Sequence, residues 1–191
     1  MKIFFTALCF TLLTSVMAAP AKGLNKTVKV KMETNYGDIV LELNRERAPI
    51  TVRNFLKYTD NKFYDGTIFH RVIDNFMIQG GGLTADMQKK ATLQEIKNEA
   101  DNGLKNQMGT IAMARTNTID SATSQFFINV KDNEFLNHRG RSSRDYGYTV
   151  FGKVVKGMFV VNKIKAATTT TKNGRQNVPL KPIIIKKVTR L

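Results

Sequence analysis

Residues 69–82 read Phe-His-Arg-Val-Ile-Asp-Asn-Phe-Met-Ile-Gln-Gly-Gly-Gly, placing the cation Arg71 among Phe69, Phe76 and Met77, with the neutral amide Gln79 nearby. A guanidinium keeps its proton, so it offers hydrogen bonds and positive charge but cannot act as a base. Set beside apolar side chains, it suits a ligand that is itself apolar and carries a weakly basic amide nitrogen. Other catalytic sets are thin. The chain has two histidines, His70 and His138, and neither a Gly-x-Ser-x-Gly elbow nor a His-Glu-x-x-His helix. Gly80-Gly81-Gly82 lacks the spacing and the following helix of a phosphate loop. Two distant histidines and one cysteine do not make a zinc site. Carboxylates cluster nowhere near the apolar run, so hydrolase and metalloenzyme readings are weak, and no metal or cofactor is expected.

The elements that must position these residues are mostly short strands. Val28 to Glu33 alternates apolar and charged, Asn35-Tyr36-Gly37-Asp38 supplies a turn, and Ile39, Leu41 and Leu43 resume the alternation, which predicts a β-hairpin. After Ala48-Pro49 the spacing of Val52, Phe55, Leu56 and Thr59 is helical, with Pro49 in the first turn where its missing donor costs nothing. Strand character returns over 68–72 and 76–79, then at 109–114, 125–130 and 148–153. Residues 83–107 read as a polar excursion with a short helical turn. Phe159, Val160 and Ile164 suggest a second helix over 157–164, and 181–191 a closing strand. Many strands, two helices, no internal repeat and no βαβ rhythm predict one all-β antiparallel domain. A closed barrel is favoured, because closure removes exposed edges.

The start of the chain has another character. Met1-Lys2, an apolar run over 3–16, then Met17-Ala18-Ala19-Pro20-Ala21 is the layout of a secretory signal, with cleavage after Ala18 or Ala21. An uncleaved anchor is the rival reading, but the run is short of the ~20 residues a spanning helix needs. Cys9 follows Leu8 inside the apolar run, which argues against lipidation. Residues 22–191 then form one domain of about 170 residues without cysteine. Disulfides and thiolate chemistry are excluded from it, which suits export to an oxidising compartment. Net charge is +15, or +14 once Lys2 is lost. That charge favours non-specific contact with anionic envelope surfaces. The lysines are scattered and read mainly as a solvated coat, so no specific nucleic acid is expected.

Four blocks in order carry a resemblance: Phe69 to Ile73 with Phe76 to Gly81, Gly109 to Ala114, Ser124 to Ile128, and Val150 to Val154, preceded by Phe63-Tyr64-Asp65-Gly66. Together they resemble the cyclophilins over residues 28–190. The leader and Ala114-Arg115-Thr116 are similar to the bacterial periplasmic branch. The resemblance implies an eight-stranded antiparallel barrel capped by two α-helices and peptidyl-prolyl cis–trans isomerase activity, here toward exported proteins during folding. It implies that Arg71 is catalytic, donating to the prolyl nitrogen of the twisted amide. Phe76, Met77, Phe127 and Leu136 would hold the proline ring. Gln79 and Gln125 would fix the substrate backbone and orient the arginine. Ala114 and the main chain of Arg115 would form the edge along which the peptide lies, and His70 a hydrogen-bonding residue either behind the residues that touch the peptide or at the rim.

Two departures from the family pattern matter. Phe135 stands where many eukaryotic members carry a tryptophan whose indole N–H bonds cyclosporin. A phenyl ring has no donor, so weak cyclosporin binding is expected. Tyr148 replaces a frequent histidine but still brings an apolar face and a polar tip to the wall. Residues 137–147, rich in Arg and Ser, are longer than the corresponding eukaryotic loop and read as a solvated loop, with shaping of access the alternative. The expected partners are proline-containing unfolded or exposed segments, and the expected state is a monomer. A proline-binding holdase without turnover and an anionic-surface binder are the rival functions.

Overall fold

The computed structural model describes residues 25–191 together with Met1. The leader, its cleavage after Ala18 or Ala21, and Cys9 lie outside the described residues.

Alternation builds the first hairpin. β1 (Thr27–Thr34) and β2 (Gly37–Asn44) pair in register from Thr27↔Asn44 to Thr34↔Gly37, burying Val30, Met32, Ile39, Leu41 and Leu43. α1 (Pro49–Asp60) follows, with Pro49 in its first turn. Its capping residue, Ala48, has no side chain able to accept from the free N–H groups there. A remote carboxylate does so instead. Glu99 Oε1 accepts from Ile50 N at 3.0 Å, and Oε2 accepts from Thr51 N at 2.8 Å and Thr51 Oγ1 at 2.7 Å. A negative group at a helix N-terminus also meets the dipole favourably.

β3 (Thr67–Ile73), β4 (Met77–Thr84), β5 (Thr110–Met113), β6 (Phe126–Asn129) and β7 (Val150–Lys156) continue the sheet. α2 (Met158–Lys165) precedes β8 (Thr169–Lys172), β9 (Arg175–Pro179) and β10 (Ile185–Arg190). Eight strands pair antiparallel in the order β10-β1-β2-β7-β5-β6-β4-β3. The two edges meet through the Ile68↔Ile184 bridge, with Phe69 N donating to Ile183 O at 2.9 Å and Gly66 N to Ile185 O at 2.8 Å. The expected eight-stranded barrel with two helices is therefore present. Phe55 of α1 anchors the core, with ring centroids 4.9 Å from Tyr64, 5.7 Å from Phe126 and 5.4 Å from Phe151.

Four local expectations need correction. β4 runs on through Gly80-Gly81-Gly82 to Thr84 instead of ending at Gln79. β8 and β9 form a separate two-stranded ribbon about Asn173-Gly174, both with positive φ, where no element was expected. Residues 85–107 carry no helical turn. They are held by side-chain amides and isolated bridges, such as Ile96↔Ala122, because Asn98 and Asn102 bond the backbone locally in place of a helix. In α2, Val160, Val161 and Ile164 form the buried stripe, while Phe159 is 62% exposed.

Candidate active site

Strict alternation would put Phe69 and Arg71 on the same face of β3, yet Phe69 is fully buried and Arg71 is exposed. A β-bulge separates them. Phe69 pairs with Gly80 and Arg71 with Gln79, so His70 is the extra residue that turns Arg71 outward. The neighbouring strands alternate regularly. Ile78, Phe126, Ile128, Ile111 and Met113 enter the main core, while Met77, Phe127 and Ala112 form a second cluster with Leu136 and Val150. Cross-strand pairs Gln79↔Phe127 and Ala112↔Phe127 lock this outer face in register.

On that face lies a cavity of about 180 Å³ lined by Arg71, Phe76, Met77, Gln79, Ala114, Arg115, Phe127, Leu136 and Tyr148. Its size suits a side chain with some backbone, not a drug-sized ligand. Nine of the twelve residues singled out in the sequence thus converge on one concavity. Gln125 stands just behind it. Gln79 Nε2 donates to Gln125 Oε1 at 3.1 Å, and Arg71 Nη1 to Gln79 Oε1 at 3.5 Å. The second contact is long and leaves the guanidinium free to donate elsewhere. Gly82 makes this chain possible: a Cβ there would lie 2.8 Å from Gln125 Cδ and 2.7 Å from its Nε2. Phe135 stands outside the cavity, 58% exposed and stacked on Phe76 with centroids 5.6 Å apart.

Of the two places expected for His70, it takes the one behind the cavity wall and not the rim. Its side chain is buried, only 6% exposed, and its Nδ1 has no hydrogen-bond partner among the described residues. Burial, reinforced by the positive charges of Arg175 and Arg71, lowers its pKa to about 4 against a partial offset from the Ile68 backbone. The bulge explains the difference, since it is the residue after His70 that reaches the cavity.

Arg115 contributes more than main chain. Its guanidinium lies 4.8 Å from the Tyr148 ring centroid, with Nε donating to Gly147 O at 2.9 Å, Nη1 to Thr116 O at 2.9 Å and Nη2 to Ser143 O at 2.7 Å. Tyr148 in turn meets Phe127 edge-on at 5.7 Å. Residues 137–147 are consequently tethered, not simply solvated. Tyr148 N donates to Leu136 O at 3.0 Å across the base of the loop, and Ser142 Oγ donates to Asp145 Oδ2 at 2.8 Å near its tip. The closed base is that of a compact surface loop packed by its own groups.

A buried amide chain behind the cavity escaped the sequence reading. Asn133 Nδ2 donates to Phe76 O at 2.8 Å and to Asn129 Oδ1 at 2.7 Å, Asn129 Nδ2 to Asn106 Oδ1 at 3.2 Å, and Asn106 Nδ2 to Leu136 O at 3.1 Å. It fixes the backbone of two wall residues, Phe76 and Leu136. Nothing in the spacing of 106, 129 and 133 marks it beforehand, because asparagines also favour turns.

Residues 29–190 match the family model described as cyclophilin type peptidyl-prolyl cis-trans isomerase/CLD. The chain is 53% identical over 176 residues to peptidyl-prolyl cis-trans isomerase A of Dickeya dadantii, covering 92% of this chain and 91% of that protein. It is 56% identical over 160 residues to peptidyl-prolyl cis-trans isomerase B of Escherichia coli, covering 84% and 98%. A cyclophilin type isomerase of Cryptosporidium parvum, crystallised in the presence of the dipeptide Ala-Pro, superposes with a TM-score of 0.69 at 28% identity, covering 84% of this chain and 97% of that one.

Proposed function

The chain belongs to the cyclophilin-type peptidyl-prolyl cis–trans isomerases, and we propose that it speeds X–Pro isomerisation in exported proteins through transition-state stabilisation by Arg71. Rotation about a peptide bond is slow because it breaks resonance, at ~18–20 kcal/mol. Since the two X–Pro isomers differ by only ~0.5–1 kcal/mol, the reaction needs no driving force, only a lower barrier. In the twisted amide the prolyl nitrogen regains its lone pair and accepts a hydrogen bond that the planar amide cannot. A donor aimed at that nitrogen therefore stabilises the transition state more than the substrate.

The observation that carries this reading is a cation turned by a bulge onto the edge of a small cavity that also holds Phe76, Met77, Phe127 and Leu136. Met77, Phe127 and Leu136 would take the ring, with Phe76 at its edge. Gln79 and Gln125 would hold the substrate backbone and steer Arg71, and Ala114 with the main chain of Arg115 would border the peptide. The Cryptosporidium relative's Ala-Pro dipeptide supports a prolyl substrate class. The signal-like leader supports action in the periplasm after cleavage. Phe135 offers no N–H, so cyclosporin should bind weakly. Calorimetric titration checks this, and nanomolar affinity would refute it.

The test is a pair of rate measurements with the mature protein: isomerisation of an X–Pro peptide, and refolding of a protein limited by a proline step. Both should accelerate in a concentration-dependent way. A protein that binds the peptide but accelerates neither is a holdase. Mass analysis of the exported protein should show a new N-terminus at residue 19 or 22, and an intact leader would exclude cleavage.

A further inference from the structure

We propose that the cleft beside the proline cavity recognises acidic residues in the substrate chain near the proline, through Arg115, Arg139 and Arg144. This rests on the isomerase reading and extends it to substrate preference. The cleft, of about 600 Å³, opens directly off the cavity, sharing Arg115, Leu136 and Tyr148 as common wall. A peptide seated by its proline and extended at ~3.3 Å per residue therefore enters the cleft within a few residues.

The lining carries three arginines and, among the described residues, no carboxylate. The local partners leave this charge mostly uncompensated. Arg115 donates to three carbonyl oxygens and to no carboxylate. Arg144 makes no ion pair among the described residues, and only Arg139 has a counter-ion, a 3.4 Å contact to Asp145. Carbonyl partners fix the Arg115 guanidinium in place without neutralising it, which is how a preorganised anion site is made. Tyr148 and Phe135 line the cleft beside the arginines and give it aromatic faces. The contrast lies across Phe135, where the adjoining groove of about 820 Å³ mixes Lys105, Lys131 and Arg139 with Asp132 and Glu134, and so has no single sign to offer.

The test uses peptides of one sequence with Glu, Gln or Lys placed one to three residues before or after the proline. At low salt, kcat/KM for the best-placed Glu peptide should exceed its Lys counterpart by about fivefold, the upper range for one exposed ion pair. The ratio should fall below about twofold in 0.5 M salt, where screening acts over a few ångströms. It should also fall in Arg139→Gln/Arg144→Gln, to the share that Arg115 alone supports. A ratio near one in the wild type at every position overturns the proposal, as does a ratio left unchanged in the double variant. Peptide affinities from NMR titration give the same ratio independently of turnover. Failure to isomerise even the Gln peptide therefore strikes the isomerase reading, while the affinity ratio still decides the charge preference.

Discussion

Arg71 owes its outward aim to His70, the extra residue of the bulge, and His70 is itself held in a costly state. An unfolded imidazole gains its proton near pH 6.5, whereas buried His70 stays neutral down to about 4. Between these values the unfolded chain binds the additional proton, so stability falls as pH drops from 6.5 and levels off below about 4. The full swing is about 3 kcal/mol, one pKa unit being worth ~1.4 kcal/mol. Urea unfolding at pH 7 and pH 5 should show about 2 kcal/mol of this loss in the wild type, since pH 5 is still above the folded value of about 4, and a flatter profile in His70→Gln. An identical pH slope in the two proteins would contradict the buried neutral ring. Arg115 is the opposite case, since its carbonyl partners and the Tyr148 face hold a half-buried cation with no counter-charge among the described residues.

Elements settle which side chains can meet. The hairpin β1–β2, α1 and the closing β10 were legible because their apolar periods are clean, and the barrel followed from strand number and the need to close edges. The outer-face residues of β4, β5 and β6 were legible only through family resemblance, since alternation cannot say which face carries the site. The bulge left no mark in the spacing, because Phe69 and Arg71 stand two apart as in any strand. The β8–β9 ribbon did leave a signal, Asn173-Gly174 between two polar runs, which fits a two-residue hairpin turn. Its fully exposed β8, Thr169–Lys172, has no apolar alternation to support the assignment. Residues 80–82 were legible as glycine but not in purpose, which is close approach within β4. Gly82→Ala should push Gln125 off Gln79, lowering turnover about tenfold or more. Unfolding midpoints should fall as well, because the atom nearest the added Cβ is Gln125 Cγ, next to that residue's Cβ, so the whole side chain must shift. Unchanged kinetics in Gly82→Ala would show that the Gln79–Gln125 contact does not serve catalysis.

For the whole molecule, charge and chemistry separate. A net +15 should draw the protein to anionic vesicles at low salt and release it as screening rises. Turnover of an uncharged peptide should change less than about twofold over the same range, because on the proposed mechanism the cavity works by a short-range donor and apolar contact. Parallel salt dependence of retention and turnover would instead make the charge part of the catalytic act. Light scattering should report a monomer of the mature chain, whose barrel pairs its own edges. All of this turns on Arg71, and one comparison isolates it. Exchange NMR under saturating X–Pro peptide gives the bound interconversion rate, and titration gives affinity, for wild type and Arg71→Ala. The account predicts a fall of ~10²–10³ in the rate, the usual cost of a lost preorganised donor, with affinity changed by much less. Equal bound rates in the two proteins, with the loss confined to affinity, would contradict it.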